Sequence, residues 1–286
     1  MSEIIKILVL IVFTSLIALA GSQGGYQINE NPMIFGCLII SFGIHYLVFI
    51  PSYLFRTERY FDITGSITFL SIMYFILDSR DLNDLGCSGI ILIALIMIWT
   101  IRLGSFLFLR IHKDGNDRRF NEIKTDFLKF MFIWTMSATW VFITSCCALA
   151  ALTSDTIHDN LFFIGLGASM WAIGFAIEVI SDIQKRQFRK NNSNSFISSG
   201  LWAYSRHPNY LGEIILWLGV SLIAIPSLNG LQYITLISPL FVYLLLTKGT
   251  GLNILEEYAE KKWGDLKDYQ EYKRNTPILF PFKKQP

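Results

Sequence analysis

The chain has 286 residues, 52% of them apolar, 15% aromatic and only 16% charged, with a formal net charge of +2. So large an apolar share exceeds what a soluble core and its polar shell require, which excludes an ordinary soluble globule. A net charge of +2 offers no basic surface for a nucleic-acid partner, and nothing in the sequence implies an obligate protein partner.

Apolar stretches near spanning length recur at 4–21, 33–54, 62–77, 88–109, 130–152, 160–180, 209–225 and 231–247. About 20 helical residues cross a hydrocarbon core, and lipid leaves no partner for open sheet edges. The pattern therefore predicts an all-α polytopic membrane bundle of about eight transmembrane helices, with six to eight as the range. The first stretch ends in Ala18-Leu19-Ala20-Gly21-Ser22, like a secretory leader, but its charged flank is only Glu3 and Lys6. It reads as a first spanning helix.

The connections alternate in charge. Those near 55–61, 110–129 and 181–208, and the tail from 248, carry Arg56, Arg59, Arg110, Lys113, Arg118, Arg119, Lys124, Lys185, Arg186, Arg189, Lys190, Arg206, Lys261 and Lys262. The intervening connections hold Arg80 alone. That bias predicts basic loops and both termini in the cytosol, in the endoplasmic reticulum of a eukaryote or the inner membrane of a bacterium.

Four cysteines (Cys37, Cys87, Cys146, Cys147) have neither CxxC nor metal-ligand spacing, and the histidines at 45, 112, 158 and 207 form no HExxH. A metal site is not expected. No GxGxxG follows a strand and no phosphate-binding Walker loop is present, so a soluble nucleotide-binding fold is not expected either.

Polar residues concentrate in four places. The densest runs from Gly200 to Glu213 and includes Trp202, Tyr204, Arg206, His207, Asn209 and Tyr210. Asn209 and Glu213 are one helical turn apart and can share a face, while Pro208 suits the first turn of a helix. An interfacial belt is the plainer reading, but it leaves Glu213 unexplained. Upstream, Glu178, Asp182, Lys185, Arg186 and Arg189 follow three-and-four spacing on one helix face. They could simply pair along the helix end, yet Glu178 falls inside the span, where a carboxylate needs a partner or a function. Arg102 and Arg110, with Asp117, Arg118 and Arg119, add basic groups suited to phosphate, or to a plain positive loop. The tail from Leu252 to Trp263 has the rhythm of an interfacial helix. Glu256, Tyr258 and Tyr272 could fold from it over a cofactor, or the helix could lie on the membrane.

The run LWAYSRHPNYLGE (Leu201–Glu213) resembles the C-terminal domain of steroid 5-alpha-reductase-like membrane enzymes. The resemblance extends to Arg102–Ile111, Ser181–Lys190 and Glu256–Phe282. It implies a domain of N-terminal transmembrane helices at 1–90, on the substrate side, and a reductase-like C-terminal domain at 91–286 with a cofactor cavity open to the cytosol. It further implies an NADPH-dependent reductase acting on a carbon–carbon double bond (CH-CH group) of a sterol, enone or isoprenoid-like lipid. By motif, Asp182, Arg186 and Arg189 look like nucleotide and phosphate contacts, and Asn209 and Glu213 like cofactor-orienting groups. Tyr258 looks like a closing tail residue, and Arg102 and Arg110 like basic contacts. Glu178, Trp202, Tyr204, Arg206, His207 and Tyr210 belong to the same cofactor set. The steroid enzymes have an Asn where this chain has Glu178, so the resemblance reaches the reaction class and not the steroid reaction itself. The proton that accompanies hydride is sought among Asp62, Tyr46 and Tyr74 on the early helices, Asp62 being the preferred acid of these, with Glu213. Asp62 also suits a helix cap.

Isoprenylcysteine carboxyl methyltransferases and phospholipid methyltransferases share this architecture, and Arg206-His207-Pro208-Asn209-Tyr210-Leu211-Gly212 is similar to their RHPxYxG run. That resemblance implies S-adenosylmethionine as the alternative cofactor. A lipid transporter or scaffold without catalysis is the third reading. All three involve membrane lipids.

Overall fold

The computed structural model describes residues 2–114, 120–192, 194–249 and 251–281, with no description of the side chains of 112–114 and 191. Lys113's side chain and Asp117, Arg118 and Arg119 therefore lie outside the described residues. The order is α1 (Glu3–Gly21), a hairpin of β1 (Gln27–Ile28) and β2 (Asn31–Pro32), α2 (Met33–Leu54), α3 (Phe61–Ser79), α4 (Leu82–Asp114) and α5 (Phe127–Leu152). It continues with α6 (Leu161–Asn191), α7 (Pro208–Ala224), α8 (Ile237–Lys248), α9 (Leu252–Trp263) and α10 (Lys267–Asn275). Among the described residues, eight helical stretches are long and apolar enough to cross a membrane. The protein is an all-α, multi-pass integral membrane protein.

Helix starts follow local chemistry. The Asp126 carboxylate accepts from the Leu128 and Lys129 amides, both at 3.1 Å, and starts α5. Pro208 opens α7, where its missing N–H costs no helical bond. α4 breaks at Gly86, and Asp159 accepts from the next two amides, Cys87 (2.9 Å) and Ser88 (2.7 Å), to restart it.

The chain forms two compact units. The first comprises 1–164 and 221–238 and is built on α5, of whose spanning window 89% is buried against 33% for α1 and α2. The face of α5 at 135–139 is a polar seam. Ser41 donates to the Ala138 carbonyl (2.9 Å), and the Tyr46 and Thr135 hydroxyls are 3.0 Å apart. His45 donates from Nδ1 to the Ser41 carbonyl at 2.7 Å, so its Nε2 must accept from the Ser137 hydroxyl at 3.0 Å. With no hydrophobic drive between helices in lipid, such bonds supply about 0.6 kcal/mol each and fix register. The buried Arg80 guanidinium donates to the carbonyls of Leu152 (2.9 Å) and Ser154 (2.6 Å), placing a cation at the negative end of α5. Buried Gln232 ties Gly21 and Ser154 to the 3₁₀ segment 230–236.

The second unit comprises 165–220 and 239–286. Here α6 and α7 touch through their backbones. A Cβ on Gly174 would fall 2.5 Å from the Gly212 carbonyl oxygen and 2.6 Å from the Leu216 amide nitrogen. One on Gly212 would fall 2.5 Å from the Gly174 carbonyl, and one on Gly219 would fall 2.5 Å from the Gly167 carbonyl. Both glycine pairs are spaced by seven residues along their helices, about two turns, so each helix offers one smooth face.

Because the obstructing atoms are backbone, Gly174→Val or Gly212→Val should cost at least about 1–3 kcal/mol. The expected result is a clear fall in the unfolding midpoint in detergent, whereas Gly43→Ala, which meets nothing within 4 Å, should leave it unchanged. Equal midpoints for all three would contradict this packing.

Candidate functional site

The close approach of α6 and α7 brings Glu178 to the backbone of Gly212, beside Glu213. Glu178 and Asp182 are both buried, on consecutive turns of α6. The loop entering α7 is fastened to the same helix. Gly200 takes a positive φ of 64°, and a side chain there would strike Gln184, whose carbonyl oxygen accepts from the Leu201 amide at 3.0 Å. The buried Trp202 indole donates to the Ser181 carbonyl (3.1 Å), and the Lys185 ammonium sits 4.7 Å from the Trp202 ring centre.

The tail lies across this loop. Tyr272 donates to the Trp202 carbonyl (2.7 Å), Trp263 to the Asn194 carbonyl (3.0 Å), and the Arg206 amide to the Pro277 carbonyl (3.0 Å). Phe196 packs among Trp263, Tyr269 and Tyr272 at 5.1–6.1 Å between ring centres. Glu256 on α9 accepts from Arg206 Nη1 and, at 2.7 Å, from His207 Nε2. Beside these groups is a partly open cavity of about 100 Å³ lined by Lys185, Arg189, Trp202, Arg206, His207, Glu256, Tyr258 and the tail aromatics.

The electrostatics are specific. Burial holds the His207 imidazole below its ordinary value, with Lys185 and Arg206 adding to the effect and the Glu256 hydrogen bond opposing it. Neutral His207 must use its one N–H on Glu256, which leaves Nδ1 as a bare acceptor. Nδ1, Arg206 Nε and Asn209 Oδ1 are buried and without a hydrogen-bond partner among the described residues. Burial pushes the Tyr272 phenol up, so it stays a donor.

The family model described as "Protein of unknown function (DUF1295)" matches residues 48–276. The chain belongs to that family. Among curated proteins it is similar to human (Homo sapiens) 3-oxo-5-alpha-steroid 4-dehydrogenase 1, 31% identical over 140 residues, covering 48% of this chain and 47% of the relative. The Rattus norvegicus protein of the same name is 30% identical over 135 residues, 46% of each chain. "Probable O-methyltransferase ustE" of Ustilaginoidea virens is 26% identical over 121 residues, 41% of this chain and 40% of the relative. The chain spans about half the length of the curated relatives it matches. No solved structure matches it.

The DUF1295 region contains every residue of the cleft. Of the residues singled out from the sequence, Arg189, Trp202, Arg206, His207 and Tyr258 line the cavity together. Tyr210 stacks on His207 with 5.7 Å between ring centres. Glu178, Asp182, Asn209 and Glu213 belong to α6 and α7 of the same unit, as does Arg186, which is exposed. Tyr204, in the entering loop, is exposed at 69%. The remaining candidates belong to the first unit. Arg102 lies over the Phe106 ring at 5.4 Å, and Arg110 pairs with Asp62 at 3.2 Å in the first turn of α3. Tyr46 is half-buried and Tyr74 is 68% exposed. Lys185, Glu256 and Tyr272, which the sequence marks as polar-cluster residues outside the motif-derived cofactor set, line the cavity too, whereas Phe196 gave no signal in the sequence. The pairing of Glu256 with Arg206 and His207 was not anticipated.

The His207 shift carries a pH signature. The unfolded imidazole takes its proton near pH 6.5, whereas the folded one does so only at lower pH. Stability from the neutral ring is fully present above 6.5 and lost as pH falls toward the folded value. Thermal unfolding between pH 8 and 5 should show an acid limb that His207→Gln flattens; an identical limb in the variant would remove His207 as its source.

Proposed function

We propose that this DUF1295 protein is a membrane-embedded, NADPH-dependent reductase of a carbon–carbon double bond in a sterol, enone or isoprenoid-like lipid. The observation that carries the reading is the aromatic and basic cleft of the second unit. It is built on the segments through which the chain resembles steroid 5-alpha-reductase-like enzymes, and the named steroid relatives agree with that resemblance.

The donor set fits such a cofactor in kind. Lys185, Arg189 and Arg206 suit phosphate oxygens, and Phe196, Trp202 and Trp263 suit planar rings. Asn209 and Glu213, at the mouth of α7, would orient the nicotinamide or its ribose, while Asp182 and Arg186 would hold the nucleotide end. When bound, NADPH supplies a hydride. The chain's own task is then to hold the lipid, exclude water and deliver a proton to the other alkene carbon. We assign that proton to Glu213, which among the four candidates lies in the same unit as the cleft, on α7. The cleft would face the cytosol, with the basic loops.

A second reading has one observation in its favour: the similarity to a probable O-methyltransferase, together with the Arg206–Gly212 run. In that case the tail aromatics would receive the sulfonium of S-adenosylmethionine by cation–π attraction.

The rise in unfolding midpoint with each cofactor separates the two. NADPH should stabilise the detergent-purified protein and S-adenosylmethionine should not; the reverse would replace the reductase by a methyltransferase. Arg189→Ala should weaken NADPH binding about tenfold, one charge-assisted phosphate contact, without lowering the midpoint of the free protein. In a reductase assay with an enone lipid, Glu213→Gln should lower turnover by about 10²–10⁴-fold. Unaltered turnover would move the proton elsewhere.

A further inference from the structure

Glu256 is the one acid among the residues lining the cavity, facing Lys185, Arg189, Arg206 and His207. Its carboxylate takes one N–H from Arg206 and the N–H of His207. Both side chains are about nine-tenths buried, at 10% and 8% exposure, yet the pairing leaves the Arg206 Nε donor without a partner among the described residues. The carboxylate leaves that donor unmet; a phosphate, with three oxygens, could accept from Arg206 Nε as well as from Arg206 Nη1 and His207 Nε2. The cavity, which is partly open, holds about 100 Å³, whereas clefts for drug-sized ligands run to roughly 300–1,000 Å³. The bonds at its border, from Glu256, Trp263, Tyr272 and Pro277, all join the α9–α10 tail to the 194–207 segment.

We propose that Arg206 and His207 form a phosphate seat which the Glu256 carboxylate fills in the resting protein, and that a phosphate-bearing ligand enters by displacing Glu256 and lifting α9. The inference rests on the dinucleotide reading of this cleft for the identity of the ligand, but not for its chemistry. Glu256 competes with the ligand because both are anions seeking the same donors. The apparent affinity is then the intrinsic affinity reduced by the fraction of molecules in which the tail is open. This sets Glu256 apart from a residue that contacts cofactor: removing a contact weakens binding, whereas removing an internal competitor strengthens it.

The test compares wild type, Glu256→Gln and Glu256→Asp for affinity to NADPH and 2′,5′-ADP, and in a separate arm to phosphatidic acid in the detergent micelle. Glu256→Gln should bind the nucleotides about tenfold more tightly, as for a tail open in about a tenth of molecules, and Glu256→Asp should behave as wild type. Equal or weaker nucleotide and phosphatidic acid binding by Glu256→Gln overturns the seat. A gain confined to phosphatidic acid keeps the seat but gives it to a lipid headgroup, and then the dinucleotide reading fails. If Glu256→Gln does not fold, Tyr272→Phe loosens the tail without changing any charge and should raise the association rate for NADPH or phosphatidic acid several-fold; unchanged rates overturn the proposal.

Discussion

The second unit depends on one steric condition, the backbone contact of α6 with α7. Gly174 against Gly212 and Gly167 against Gly219 remove every side chain from the line of approach. The consequence is chemical as well as mechanical. At this separation the turn of α6 that bears Glu178 lies directly on the turn of α7 that bears Gly212. Moving the helices apart by the radius of one methyl group would alter the spacing of the polar groups and the anchoring of the loop between them. Glycine here serves packing in lipid, where close van der Waals contact replaces the hydrophobic drive.

The cleft shows how such a unit keeps cations beside apolar surface. Arg206 and His207 are buried, and burial of an unpaired charge is costly. The protein answers with a carboxylate from the tail, a neutral imidazole and an aromatic wall. Lys185 lies over the Trp202 ring. The tail is therefore part of the cleft and not an appendage. Its inward face, Leu255, Glu256, Ala259 and Trp263, lines the cavity, while Ile254, Lys261 and Lys262 remain exposed.

Much of this was legible in the sequence, because hydropathy and turn residues are local signals. The stretch 33–54 is α2, 130–152 lies within α5, and the tail helix runs from Leu252 to Trp263 as its periodicity indicates. The stretch 231–247 was legible only as apolar. Its first part, 230–236, is a 3₁₀ segment in which Gln232 reaches inward to Gly21 and Ser154, partners more than 70 residues away. The helix break at Gly86 likewise depends on the distant Asp159. In the site, the Arg-His-Pro run marked the loop, but its counter-ion lay 49 residues downstream, beyond any local pattern. The seven-residue glycine spacing of α6 and α7 was visible and went unread. Asp62 illustrates the opposite case, since helix cap, acid and ion-pair partner look alike in sequence, and only the bond to Arg110 distinguishes the last.

The central claim is that the segment 194–207 and the α9–α10 tail form one ligand-binding device. Hydrogen–deuterium exchange of the purified protein, with and without saturating NADPH, tests it most directly. The account predicts that protection gained on binding concentrates in peptides covering 194–207 and 252–277, with the α5 seam unchanged. Binding that leaves those peptides as they were, with protection appearing elsewhere, would contradict it.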